Sequence, residues 1–148
     1  MKDPLTKRER SALMAKVRSK RNRSTEGFVH MALARGQIKG WNKQRSDIFG
    51  SPDFYFPRHR LALFVHGCFW HACGRCGRIP KTNVAFWQKK IRQNQRRDRL
   101  VARRLRKAGY SVMWVWEHEL RTSHWLKRLR SKLKSNRRVP VKGKSLRK

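Results

Sequence analysis

Asp53, placed after Pro52, and the run Val65-His66-Gly67-Cys68-Phe69-Trp70-His71, followed by Cys73 and Cys76, gather a carboxylate, two imidazoles and three thiols in one stretch of chain. The pattern Cys68-x4-Cys73-x2-Cys76 can put three thiolates on three corners of a tetrahedron around Zn²⁺, with the fourth ligand coming from elsewhere. His118 is the strongest candidate for that ligand because it follows an apolar, β-rich run; Glu117 and His71 are weaker options. Four closed ligands would make a structural site, holding a loop too poor in apolar residues to hold itself. The plainer alternative is three free thiols beside a surface histidine.

A second centre is argued from scarcity, since the chain has only eight Asp and Glu. Asp3, Glu9 and Asp98 fall in predicted helices crowded with Arg and Lys, where ordinary charge pairing accounts for them. Asp53 instead opens a predicted strand and faces the histidine-rich loop. One carboxylate plus a backbone carbonyl is enough protein for Mg²⁺, which fills its octahedron with waters and phosphate oxygens. His66 could then order a metal-bound water, and His71 could take the proton from the attacking one. The alternative has Asp53 capping a turn and both histidines hydrogen-bonded in a loop. Phe69 and Trp70, at a loop tip, are either core or a wedge that unstacks base pairs, and Met14 could enter from the opposite groove.

The elements that must position these groups can be read from periodicity. Thr6 and Glu9 form a capping box that starts a helix running to about Arg18. A cationic link over Ser19–Arg23 then leads to a second helix ending at Arg35, with Phe28, Met31, Ala32 and Arg35 on one face and Glu26 in its first turn. A strand around Trp41–Gln44 precedes a loop, and Asp53–Phe56 and Leu61–Val65 read as a hairpin that brings Asp53 beside Val65 and His66. A long helix from Thr82 or Asn83 to Ala108 buries Trp87, Ile91, Val101, Leu105 and Ala108 and is closed by Gly109. Its other face is basic and includes Lys89 and Arg97. Asn94 or Gln95 would be its base-contacting residues. Tyr110–Trp116 reads as an interior strand, and Ser123 to about Leu133 as a last helix. The order predicts an α/β domain with a mixed sheet. Residues 1–23 are expected to form a DNA-clamping arm, 24–134 the folded domain and 135–148 a basic, disordered tail.

Composition fixes the partner class. Forty Lys and Arg leave a formal charge of +32 on 148 residues, and 38% apolar residues with six Trp and seven Phe can build one modest core. Such charge calls for a polyanion, and the basic residues alternate with Trp, Asn, Gln and Gly and form no lipid-facing stripe, so nucleic acid is expected and a membrane is not. No leader-like apolar segment stands at the start and no apolar run approaches a membrane span, which predicts a cytoplasmic, bacterial, nucleoid-associated protein. The three cysteines argue for metal or free thiols over disulfides.

Taken together, His66-Gly67-Cys68-Phe69-Trp70-His71, Ser51-Pro52-Asp53-Phe54, Pro80-Lys81-Thr82-Asn83 with Phe86-Trp87, Asn94 with Arg97-Asp98, and Trp114-Val115-Trp116-Glu117 resemble the very short patch repair endonuclease family over about residues 8 to 121. The resemblance implies a zinc-containing variant of the PD-(D/E)xK restriction-endonuclease-like fold. It also implies Mg²⁺-dependent nicking of one strand beside the thymine of a T·G mismatch in double-stranded DNA, the lesion left by deamination of 5-methylcytosine. On matching positions Asp53 and the Val65 carbonyl would hold Mg²⁺, His66 would act through hydrated metal, His71 would be the general base, and Glu26 would lie near the centre. Phe69, Trp70 and Met14 would intercalate, and Lys81, Lys89, Asn94 and Arg97 would join the DNA-contacting set. Cys68, Cys73, Cys76 and His118 would hold zinc. A monomer, with contacts to other repair proteins, is expected.

Several positions depart from the family pattern. Val65 stands where a threonine often precedes the first histidine, leaving only a carbonyl role. Ala72-Cys73-Gly74-Arg75-Cys76 replaces a histidine-rich loop while His118 replaces a cysteine, a permuted set that keeps four zinc-competent groups. Met14 and Glu26 stand about one residue further apart than in the family, and the basic tail has no counterpart. The rival readings are a basic zinc protein that coats nucleic acid without cutting, and a related nuclease that acts on matched DNA.

Overall fold

The computed structural model describes residues 6–136. Helix α1 (Lys7–Arg35) starts on the capping box: Thr6 Oγ1 accepts from the Glu9 amide while the Glu9 carboxylate accepts from the Thr6 amide. It runs through Ser19–Arg23 without interruption, where a link between two helices was expected. The reason is local: Lys and Arg are good helix formers, and the segment has neither Pro nor Gly to stop the backbone. The buried face also differs from expectation. Val29 and Leu33, four residues apart, are fully buried, whereas Phe28 and Met31 are 57% and 48% exposed.

The sheet has the order β1-β2-β3-β4, with β1 (Asn42–Lys43), β2 (Phe54–Phe56), β3 (Leu61–His66) and β4 (Ser111–Trp116). The first two pairings are antiparallel and β3 lies parallel to β4, so the sheet is mixed as predicted. A 3₁₀ turn, Pro57–His59, closes the β2–β3 hairpin, with Arg60 in the left-handed region. The parallel partner requires a crossover, which α2 (Val84–Lys107) supplies. A 3₁₀ segment (Glu117–Arg121) and α3 (His124–Ser135) complete the described chain.

Side-chain alternation sorts the sheet into two cores. On one face Phe54, Phe56, Leu61, Leu63, Met113 and Val115 pack against Val29 and Leu33 of α1 and Trp125 and Leu129 of α3. On the other, Tyr55, Ala62, Phe64 and Val112 meet Val101 and Leu105 of α2. Each fully buried large side chain contributes about 1.5–3 kcal/mol. Of the predicted α2 stripe, Ile91, Val101 and Leu105 are buried, and Trp87 and Ala108 only half-buried. Strand β4, expected inside the sheet, ends it among the described strands. Its apolar run reflects coverage on both faces by helices, and its free edge is capped by side chains. Arg128 Nη2 donates to the Trp114 carbonyl at 2.9 Å, and the Trp116 amide donates to Glu119 at 2.8 Å.

Candidate active site and metal centre

The hairpin delivers the first group. The Val65 amide donates to Asp53 Oδ2 at 2.7 Å, and the Gln44 amide donates to the Asp53 carbonyl at 3.1 Å. The Gln44 side chain meanwhile donates to Glu26 at 3.1 Å, tying the α1 carboxylate to the same strand end. Burial raises the Asp53 carboxyl to about 6; the Val65 amide opposes the rise, and the Glu26 charge adds to it. Two acids drawn together in a chain of +32 make a local negative spot suited to a hard cation.

His66 is the last residue of β3, 8% exposed, and its ring stacks on that of His71 at 3.8 Å and 8°. Trp114 and Trp116 also flank it. Burial pushes its imidazole down to about 4, the neighbouring His71 adds to the fall and Asp98 opposes it. His71 sits on the loop after β3, and its Nδ1 lies 2.6 Å from Asp98 Oδ2. His66 Nε2 lies 3.5 Å from the same oxygen and has no hydrogen-bond partner. Helix α2 holds this loop by three side chains on its inner face: Asn94 donates to the Trp70 carbonyl at 2.8 Å, Gln95 to the His71 carbonyl at 3.4 Å, and Asp98 accepts from His71.

Cys68, Cys73, Cys76 and His118 converge as the spacing predicted. Their sulfurs lie 3.2, 3.6 and 3.5 Å from His118 Nδ1. A tetrahedral ion with zinc–sulfur and zinc–nitrogen bonds of ordinary length separates such donors by about 3.5 Å, so the set fits zinc. Burial pushes the Cys68 thiol up to about 12, with Cys76 adding to the rise. Gly77 closes the loop where a Cβ would lie 2.6–2.8 Å from Cys73 N, Cys73 O and Cys68 O. Glu117, a weaker ligand option, accepts from the Cys68 amide instead.

Phe69 and Trp70 are half-buried and form one aromatic group with Trp87, beside Phe86, which is 60% exposed. Lys81, Lys89 and Arg97 are exposed, as expected for phosphate contacts. Asn94 and Gln95, the expected base-contacting residues, donate to the backbone of the loop in this structure. The Met14 side chain lies outside the described ones.

Asp98 is the residue that sequence reasoning misassigned, having been set aside as helix charge pairing. The signal was present: Asn94 and Asp98 interrupt the stripe Trp87-Ile91-Val101-Leu105 on its buried side, and polar groups in a buried stripe must be bonded within it. Of the other described carboxylates, only Asp47 and Glu119 pair with an arginine. Among the described residues most of the positive side chains are therefore left for an outside polyanion.

The family model described as "DNA mismatch endonuclease Vsr" matches residues 2–76. The type II nicking enzyme V.XorIIP of Xanthomonas oryzae pv. oryzae is 40% identical over 121 residues, 81% of this chain and 88% of that protein. The type II nicking enzyme V.NmeAIP of Neisseria meningitidis is 37% identical over 82% of this chain and 86% of its own. The DNA mismatch endonuclease Vsr of Escherichia coli is 39% identical over 92 residues, 61% of this chain and 58% of that protein. With the fold, the paired centres and these likenesses in hand, the chain belongs to the Vsr family of DNA endonucleases and is a DNA-nicking phosphodiester hydrolase.

Proposed function

We propose that the enzyme nicks one strand of double-stranded DNA beside a T·G mismatch, with Mg²⁺ as the catalytic and Zn²⁺ as the structural metal. The observation that carries this reading is the end of β3, where the Val65 amide holds Asp53 and the next residue, His66, stacks on His71 and lies 3.5 Å from Asp98. Asp53 and the Val65 carbonyl would hold Mg²⁺, and Glu26 adds negative charge beside them. Held there, Mg²⁺ would supply Lewis acidity and positive charge against the scissile phosphate. Asp98 accepts a hydrogen bond from His71 Nδ1–H, which keeps the proton on Nδ1 and leaves the Nε2 lone pair free to take a proton from an attacking water. His66, held neutral by burial, packs against His71 and, were Mg²⁺ held by Asp53, would help order its hydration from one ring nitrogen.

The same reading assigns Phe69 and Trp70, backed by Trp87, to wedging beside the mismatch. Lys81, Lys89 and Arg97 contact phosphates, and Met14 enters from the arm of residues 1–23. The catalytic domain spans 24–134 on a PD-(D/E)xK-like core, and the basic tail, 135–148, adds affinity. The protein acts as a monomer alongside other repair proteins in the bacterial cytoplasm. A mapped nicking assay on matched, T·G and other mismatched duplexes tests this directly. Asp53→Ala should abolish nicking in Mg²⁺ and leave binding largely intact. Equal cutting of matched DNA would favour the related nicking-enzyme reading, and absence of nicking on every duplex would remove it.

A further inference from the structure

The cluster His66, His71 and Asp98 has a second chemical capacity. Its three donor atoms lie close together: His71 Nδ1 is 2.6 Å and His66 Nε2 3.5 Å from Asp98 Oδ2. Donors around an ion bonded at about 2.0–2.2 Å stand roughly 3.0–3.5 Å apart. His66 Nε2 is aimed into this space from a side chain in a residue only 8% exposed, and no hydrogen bond satisfies it. Two imidazoles and one carboxylate suit a borderline ion such as Zn²⁺, Co²⁺ or Ni²⁺ far better than Mg²⁺, which prefers all-oxygen shells.

We propose that His66, His71 and Asp98 form a second transition-metal site, distinct from the cysteine cluster and from Asp53, whose filling stops nicking. As they stand, the two rings are parallel and cannot both aim at one ion. His71 is on a loop and its side chain is 20% exposed, so on binding its ring would tilt out of the stack while His66 stays fixed by Trp114 and Trp116. Binding takes the Nδ1 lone pair of His71, so its ring proton moves to Nε2. The imidazole remains neutral, and its free nitrogen becomes a donor where a base is required. Asp98 exchanges its hydrogen bond for the ion. Binding itself is independent of the catalytic reading; the block on nicking rests on His71 as proton acceptor.

Cobalt separates these claims. Protein carrying zinc in the cysteine cluster is titrated with Co²⁺ and followed by visible absorption. One further ion per chain is expected, with ligand-field bands and without the near-ultraviolet thiolate-to-cobalt band that the cysteine cluster would give. His66→Ala and Asp98→Ala should each weaken that binding by more than about tenfold, with the zinc content of the cysteine cluster reporting that the variants are folded. In the wild type, nicking at fixed Mg²⁺ should fall along the same titration curve. No further ion, or an ion held equally by both folded variants, overturns the site. An ion that binds without slowing the nick overturns the block, and with it the base role of His71.

Discussion

His71 Nδ1 lies 2.6 Å from Asp98 Oδ2, so a carboxylate from the middle of α2 fixes the tautomer of an imidazole on the loop after β3. An acceptor-only oxygen at this distance requires the proton on Nδ1. The opposite nitrogen is thereby a lone pair, as a proton acceptor needs. Asn94 and Gln95 hold the same loop by its backbone, so the helix controls both where the ring sits and which form it takes.

Asp98→Asn therefore replaces an acceptor by a group that can present its amide to the ring and select the wrong tautomer. The expected result is a fall in kcat of roughly 10²- to 10⁴-fold with little change in DNA affinity. Asn94→Ala, which loosens the loop and leaves the tautomer alone, should lower kcat less and leave the pH profile in place. Single-turnover nicking of a T·G duplex across pH, with binding measured separately, distinguishes the two effects. Equal losses in both variants would mean that Asp98 only anchors the loop.

The zinc loop offers a steric test. Gly77 has no room for a methyl group between Cys73 and Cys68, so Gly77→Ala must push those backbones apart and disturb two ligands together. Metal analysis should fall from about one zinc per chain toward none, with a loss of thermal stability, since closing the site contributes folding free energy. His118→Cys should keep zinc and His118→Ala should release it, because the site needs a fourth donor and not an imidazole in particular. Zinc retained in full by both His118→Ala and Gly77→Ala would contradict the ligand set.

Much of this arrangement was legible from the chain, and the reasons are local. The hairpin is short and its turn signals strong, so Asp53 could be placed beside Val65 without knowledge of the rest. The cysteine spacing similarly brought three zinc-competent thiols onto one loop, and the end of an apolar strand pointed to His118. What escaped depended on packing between distant segments. Asp98 was read by its cationic neighbours along the helix, although its position in the buried stripe decides its role. The choice of Val29 over Phe28 and Met31 as the buried face of α1 is likewise set by the sheet it meets, and both choices are plausible on helical period alone. The edge position of β4 was hidden because helices on both faces give an edge strand the composition of a central one.

The unpaired surface charge predicts a steep response to salt. Lys89 and Arg97 are exposed on α2, and among the described residues neither has a carboxylate partner. If each meets a phosphate, changing either to Gln should flatten the slope of log affinity against log salt concentration by about 0.9. The double variant should lose about twice that. The loss should be the same on matched and mismatched duplexes, because phosphate contacts carry no sequence information. Fluorescence anisotropy over a salt series measures it; a selective loss on the T·G duplex would instead place these residues at the mismatch.

The raised Asp53 carboxyl makes activity and stability respond to pH in opposite senses. Its value in the fold is about 6 against 3.8 for the free side chain, so the folded state holds this proton more tightly than the unfolded chain does. The stability contributed by this group is thus fully present below about 4 and is lost as pH rises through about 6. His66 runs the other way: its imidazole falls from 6.5 to about 4, so its contribution is present above 6.5 and lost as pH drops through 4. Between about pH 4 and 6 the two slopes oppose each other, and the metal-free protein should show a nearly flat stability profile there. Asp53→Asn removes only the acid, so at pH 7–8 without Mg²⁺ it should be more stable by roughly 1–3 kcal/mol, and below pH 6 it should expose the His66 slope. On the proposed reading nicking needs the carboxylate to hold Mg²⁺, so the acid limb of the wild-type rate should bend near pH 6 at low Mg²⁺ and move to lower pH as Mg²⁺ is raised, because metal and proton would compete for one group. An acid limb that ignores Mg²⁺ concentration would assign that titration to a group other than Asp53 and count against the proposed Mg²⁺ role.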